Sequence, residues 1–345
     1  MFSGAENFHG RMFCFKQVEI LRGPVGKFPR ISRYNSPIFA LGIMGKKIDL
    51  AWARQFGNLD LLARQLVEGF ITGLHRSPYH GFSVEFAEHV LYNPGESTRH
   101  INWKVFAKTD RLYTKRYEEE TNLRCQILLD VSPSMYLPQP NQDKLTFSVL
   151  AAAAIMHMLS KQRDAVGLST FADGVISQSQ TRSVSGHIHK LIMQLEKIML
   201  EPVQATQSSV PEVIDQLAES YHRRSLVVIF SDLFTNADPE KLFSALAHLR
   251  HNRHEVLLFH VLDYRQELEL EFRNRPYVFI DAETGSRLKL HPSEMKEQYR
   301  EAMQRQLQAI KLRCGQMKVD YVEANTNMDF HQILMNFMTR RAKMM

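Results

Sequence analysis

In the stretch "ILLDVSPSMY" (127–136) an aspartate closes an apolar run and two serines follow at alternate positions, so Asp130, Ser132 and Ser134 bring three oxygen side chains to one turn. Such a trio can hold a cation, receive a phosphoryl group, or cap a turn by bonding nearby backbone amides. A second carboxylate, Asp232, closes another apolar run, "VVIFSD". Hydroxyls also gather in "QATQSSVPE" (204–212), where Thr206, Ser208 and Ser209 precede a helical run. If both aspartates stand at the carboxyl ends of parallel strands, their loops meet at one rim. Hard oxygen ligands of this kind suit Mg²⁺ or Mn²⁺, with water filling the remaining positions. Two carboxylates and several neutral hydroxyls would leave such an ion with affinity for one more anion, such as an acidic side chain of a partner protein.

Other chemistry-bearing residues carry weaker signals. His75, His80, His89 and His100 match no ligand spacing of the H-E-x-x-H kind, and His248, His251 and His254 fall where a helix ends, a place that favours them electrostatically. The aromatics between Phe82 and Tyr117 are read as packing residues. The chain has no G-x-x-x-x-G-K-[ST] loop, no G-x-G-x-x-G after a strand and no G-x-S-x-G elbow, which leaves no nucleotide site or serine nucleophile of standard form.

The elements that must position the aspartates follow from periodicity. From Arg124 onward, continuous apolar runs alternate with helical patterns: strands at 124–130, 164–171, 225–232, 255–263 and 318–324, an edge strand at 174–180, and helices at 144–161, 186–199, 210–222, 239–252, 292–313 and 328–341. This pattern predicts a doubly wound α/β fold with a mainly parallel sheet covered by helices on both faces. "YVFIDAETGSRLKL" (277–290) reads as a hairpin. Ahead of the sheet, 49–73 reads as one amphipathic helix, and the segment to about 120 as strand-rich.

At 345 residues with 44% hydrophobic and 23% charged content, the chain has the composition of a soluble globular protein. Its longest apolar run, "LTFSVLAAAAIMHML" (145–159), is too short to span a bilayer. Cys14, Cys125 and Cys314 form no C-x-x-C pair, which favours a reduced, cytoplasmic chain. Of the net charge of +6, residues 1–43 carry most, with six Lys/Arg against two acids, so the remainder is not a basic, polyanion-binding domain. That first segment, broken by Pro24, Pro29 and Pro37, is expected to be a disordered extension or a misassigned start ahead of Met44.

"DVSPS" has the D-x-S-x-S form of the metal-ion-dependent adhesion site and so resembles von Willebrand factor type A domains. A wider resemblance covers about Asp49 to Arg341. The segment "EFAEHVLYNPGESTRHINWKVFAKTDRLYTKRYEEE" (85–120), with "VEGFITGLHRSP", "DAVGLSTF" and "IFSDL", is similar to the bacterial domain of unknown function 58 family, departing from it at Val90, Glu96 and Asn102. The resemblance implies three parts: the extension 1–43, an N-terminal helix and strand-rich segment 44–123, and a type A-like domain 124–345. It further implies a Mg²⁺ site built from Asp130, Ser132, Ser134, Ser208 (or Thr206) and Asp232. The function implied is a non-enzymatic, chaperone-like adaptor that captures an acidic residue of a client beside a MoxR-type AAA+ ATPase. The alternative from the residues themselves is a metal-dependent phosphohydrolase using Asp130, although Ser132 stands where such enzymes need a second carboxylate.

Overall fold

The computed structural model describes residues 15–20, 50–75, 89–91, 103–115, 123–138, 142–201, 209–234, 238–281 and 286–334. In chain order these form β1 (Phe15–Ile20), α1 (Leu50–Gln55), α2 (Leu59–His75), β2 (His89–Leu91), α3 (Trp103–Thr109), β3 (Tyr113–Lys115) and β4 (Arg124–Asp130). A 3₁₀ turn (Pro133–Tyr136) leads to α4 (Asp143–Lys161), β5 (Ala165–Phe171), β6 (Val175–Gln178), α5 (Ser185–Leu200), α6 (Val210–Ser220) and β7 (Leu226–Ser231). Then come α7 (Pro239–His251), β8 (Glu255–Leu262), a π-helical turn (Tyr264–Leu268), β9 (Tyr277–Asp281), β10 (Arg287–Leu290), α8 (Pro292–Gln316) and β11 (Asp320–Asn325).

The central sheet runs β11-β8-β7-β4-β5-β6, parallel throughout except for the antiparallel edge strand β6. Its inner strands are apolar on both sides because both faces are covered. Along β4, Cys125, Ile127 and Leu129 pack with α1, α2, α4 and α5, while Leu128 faces α6 and α7. Val228 and Phe230 of β7 join the first layer, and Val227 and Ile229 the second. The α/β architecture expected from the alternating runs is therefore the observed one.

Three local readings differ. The run 49–73 is two helices: Gly57 takes the left-handed conformation (φ 69) and Asn58 Oδ1 accepts from Leu61 N at 2.9 Å, so a cap restarts the helix where periodicity reads through. The restarted helix α2 buries Leu62, Ala63 and Leu66 in the same core as α4, and Asp60 reaches His157 of α4 at 2.9 Å. In the segment read as strand-rich, the described residues hold the short paired strands β2 and β3 and a helix at Trp103–Thr109. In the segment read as a disordered extension or misassigned start, Phe15–Ile20 forms a strand pairing antiparallel with β9. Together with the expected hairpin of β9 and β10 it makes a separate three-stranded sheet. The first turn of the helix expected at 328–341 is present, and the rest of it lies outside the described residues.

Candidate cation site at the carboxyl rim

Strands β4 and β7 are neighbours in register, Leu129 opposite Phe230, so the residues that follow meet at one rim: Asp130 beside Ser231, with Asp232 one step beyond. Asp130 is fully buried, its Oδ1 accepting from Ser132 N at 2.9 Å and its Oδ2 from Ser231 Oγ at 2.6 Å. The Ser132 and Ser134 hydroxyls lie 3.0 Å apart, both without solvent contact. Asp232 is equally buried; Oδ1 accepts from Phe234 N at 3.1 Å, and Leu233 between them takes a left-handed φ of 55, a strained turn that brings the chain back over the carboxylate. The structure thus brings Asp130, Ser132, Ser134 and Asp232 together. Ser208 and its alternative Thr206 lie outside the described residues; the adjacent Ser209 ties the start of α6 to the same rim, its N donating to Ala172 O at 2.9 Å.

The surroundings add groups that sequence reasoning missed. Lys144, in the first turn of α4, reaches Asp232 Oδ2 at 2.7 Å and Glu267 Oε1 at 2.5 Å with its ammonium wholly buried. Glu267 is held by its place in the π-helical turn, where Oε2 accepts from Asp263 N at 2.8 Å. His260 Nε2 donates to the Asp232 carbonyl at 3.0 Å, which leaves Nδ1 to accept from the Tyr321 hydroxyl at 2.8 Å.

Burial dominates the electrostatics of this cluster. It raises Asp130 to about 7, with the Asp232 charge adding to the effect and the bonds from Ser231 and Ser132 opposing it. It likewise raises Glu267 to about 7 against the pull of Lys144, and lowers His260 to about 4. Lys144 contacts two of the three buried carboxylates Asp130, Asp232 and Glu267, so these four groups in their ionised form have an excess of two negative charges.

The donor set fits a hard divalent cation. Each oxygen of Asp130 and Asp232 already accepts one hydrogen bond and retains a second lone pair, and two hydroxyls stand beside them. No trio of His, Cys, Asp or Glu among the described residues forms a metal cage, so any ion at this rim depends on the serine hydroxyls as well as the carboxylates. The histidines at the end of α7 serve other purposes. Buried His254 is lowered by desolvation and accepts from Ser225 N at 3.3 Å, so dipole stabilisation of a charged ring does not describe it; His248 pairs with Asp215 at 2.6 Å.

Residues 88–311 match the family described as "Protein of unknown function DUF58". The chain belongs to this DUF58 family. Among its relatives, Uncharacterized protein Rv1480 of Mycobacterium tuberculosis and Uncharacterized protein Mb1516 of Mycobacterium bovis are each 27% identical over 228 residues, covering 66% of this chain and 70% of theirs. Similar solved structures include the conserved hypothetical protein BatB from Bacteroides thetaiotaomicron (15% identity, 64% of this chain and 99% of that chain, TM-score 0.39). An aerotolerance-related membrane protein from Bacteroides fragilis (17%, 63% and 99%, TM-score 0.40) and the SpRpn10 VWA domain (20%, 41% and 76%, TM-score 0.30) are further examples. Among the described residues of this DUF58 chain, no helix is long and apolar enough to cross a membrane.

Proposed function

We propose that the chain is a non-enzymatic, Mg²⁺-dependent protein-binding adaptor that works in the cytoplasm with a MoxR-type AAA+ ATPase on a client complex. One observation carries the reading: two carboxylates from adjacent parallel strands, Asp130 and Asp232, converge with the Ser132 and Ser134 hydroxyls at the carboxyl rim. These four residues would hold the ion, with Ser208 or Thr206 as a fifth contributor. A bound Mg²⁺ (or Mn²⁺) would supply a Lewis-acidic position for a partner's carboxylate. The protein's own share is to keep the site preorganised, through the bonds from Ser231 and Ser132 to Asp130 and from Phe234 to Asp232. Because the four side chains are buried, an acidic partner group reaches them only when the rim opens, which suits a module loaded by an ATPase rather than one that binds on every encounter.

Against phosphohydrolysis, Ser132 stands two residues after Asp130, where such an enzyme needs a second carboxylate as acid and base. The test is calorimetric titration of Mg²⁺ into the wild type and Asp130→Ala, with circular dichroism to verify folding. Binding lost in the folded variant supports the site, and unchanged binding sinks it. Capture of the purified ATPase that survives chelation would remove the metal from the adaptor reading.

A further inference from the structure

The rim already contains a cation of its own. Lys144 is the second residue of α4, where the helix dipole disfavours a positive charge, yet its side chain is fully buried between Asp232 Oδ2 and Glu267 Oε1. Its ammonium also stands 4.9 Å from the centre of the Phe234 ring, the residue whose amide holds the other oxygen of Asp232. A buried lysine is tolerated when anions surround it, and here two carboxylates, one from the residue after β7 and one from the π-helical turn, do so.

We infer that Lys144 is the resident counter-ion of the proposed cation site and the residue that sets its affinity for a divalent ion. The inference rests on reading the rim as a cation site. It assigns Lys144 two effects. By satisfying Asp232 and Glu267 it lets the fold stand without any added metal. By placing a fixed positive charge on the ligand Asp232, it weakens the hold on a divalent ion, since like charges repel strongly where water is excluded. A weakly held ion is one whose binding a partner's carboxylate can complete. Glu267 acts in the opposite sense, because its charge offsets that of Lys144.

The two residues therefore predict changes of opposite sign. In calorimetric titrations with MgCl₂ on the full chain, Lys144→Gln, which keeps hydrogen-bond donors and loses the charge, should bind about tenfold or more tightly than wild type. Glu267→Gln should bind several-fold more weakly. Thermal melts serve as the second measurement: Mg²⁺ should raise the melting temperature of Lys144→Gln more than that of wild type. Binding detected only in Lys144→Gln supports the inference in its strongest form. Affinities equal to wild type in both variants, or weakened in Lys144→Gln as loss of a merely positioning residue would give, overturn it while leaving the metal site standing. If Lys144→Gln does not fold, the Glu267→Gln arm decides alone: weaker binding supports the inference, and equal or tighter binding overturns it. No heat from wild type or either variant fails the cation-site reading and the inference with it.

Discussion

Replacing His260 by glutamine tests the electrostatics of the rim through pH alone. His260 is fully buried, donates to the Asp232 carbonyl and accepts from Tyr321, and desolvation lowers it from 6.5 to about 4. The folded protein therefore keeps the ring neutral while the unfolded chain takes up a proton below about pH 6.5. Stability from this residue is complete above that pH and drains away as pH falls toward 4. Linkage puts the full loss at about 3 kcal/mol, of which about 2 kcal/mol is gone by pH 5. Asp130 and Glu267 act oppositely. Raised to about 7, they bind protons in the native state before the unfolded one, so acidification below 7 favours the fold through them. The wild-type profile alone mixes these effects, but its difference from His260→Gln isolates the histidine. Urea unfolding in metal-free buffer should find the variant less stable at pH 7.5, since glutamine cannot serve both Asp232 and Tyr321. That deficit should shrink by about 2 kcal/mol at pH 5. A deficit that stays constant between the two pH values refutes the buried neutral ring.

Two substitutions test the layers beneath the rim. Phe230→Ala removes a ring stacked on Phe259 at 4.7 Å between centroids, in the core shared with α4, and should cost about 3–5 kcal/mol in urea unfolding; a loss below 1 kcal/mol would contradict the packing. Gly167→Ala on β5 drives a methyl into buried Gln126 Oε1 and to 2.9 Å from the Ser179 carbonyl, so it should destabilise by about 1–3 kcal/mol by the same assay, whereas a neutral result would show that Gln126 moves freely.

The sheet was legible because its inner strands are buried on both faces. A run such as "LVVIFS" has no polar side to hide, and the aspartate that ends it marks the rim. Local signals failed where the deciding contact is distant or turns on one backbone angle. The six residues of β1 find their partner in β9, more than two hundred and fifty residues on, and their own alternation is too short to announce it. Gly57 breaks a helix whose apolar spacing continues across the break, because a left-handed glycine leaves the count of residues intact while redirecting the chain.

Lys144 and Glu267 were hidden for a different reason. A lysine at a helix start and a glutamate in "DYRQELEL" read as solvated charges, and only the folded topology places one between the other and Asp232. Yet the sequence does contain a signal that favours burial of the lysine. Lys144 opens a helix whose next residues, "LTFSVLAAAAIMHML", are mostly apolar and buried, and it lies in the first turn, where the dipole works against it. A cation in that position is held only if anions meet it from elsewhere in the fold. The aspartates that end the parallel strands stand on the same rim as the starts of the helices that follow them. A lysine opening the helix after the first of those strands thus points to the second aspartate, Asp232, as its partner.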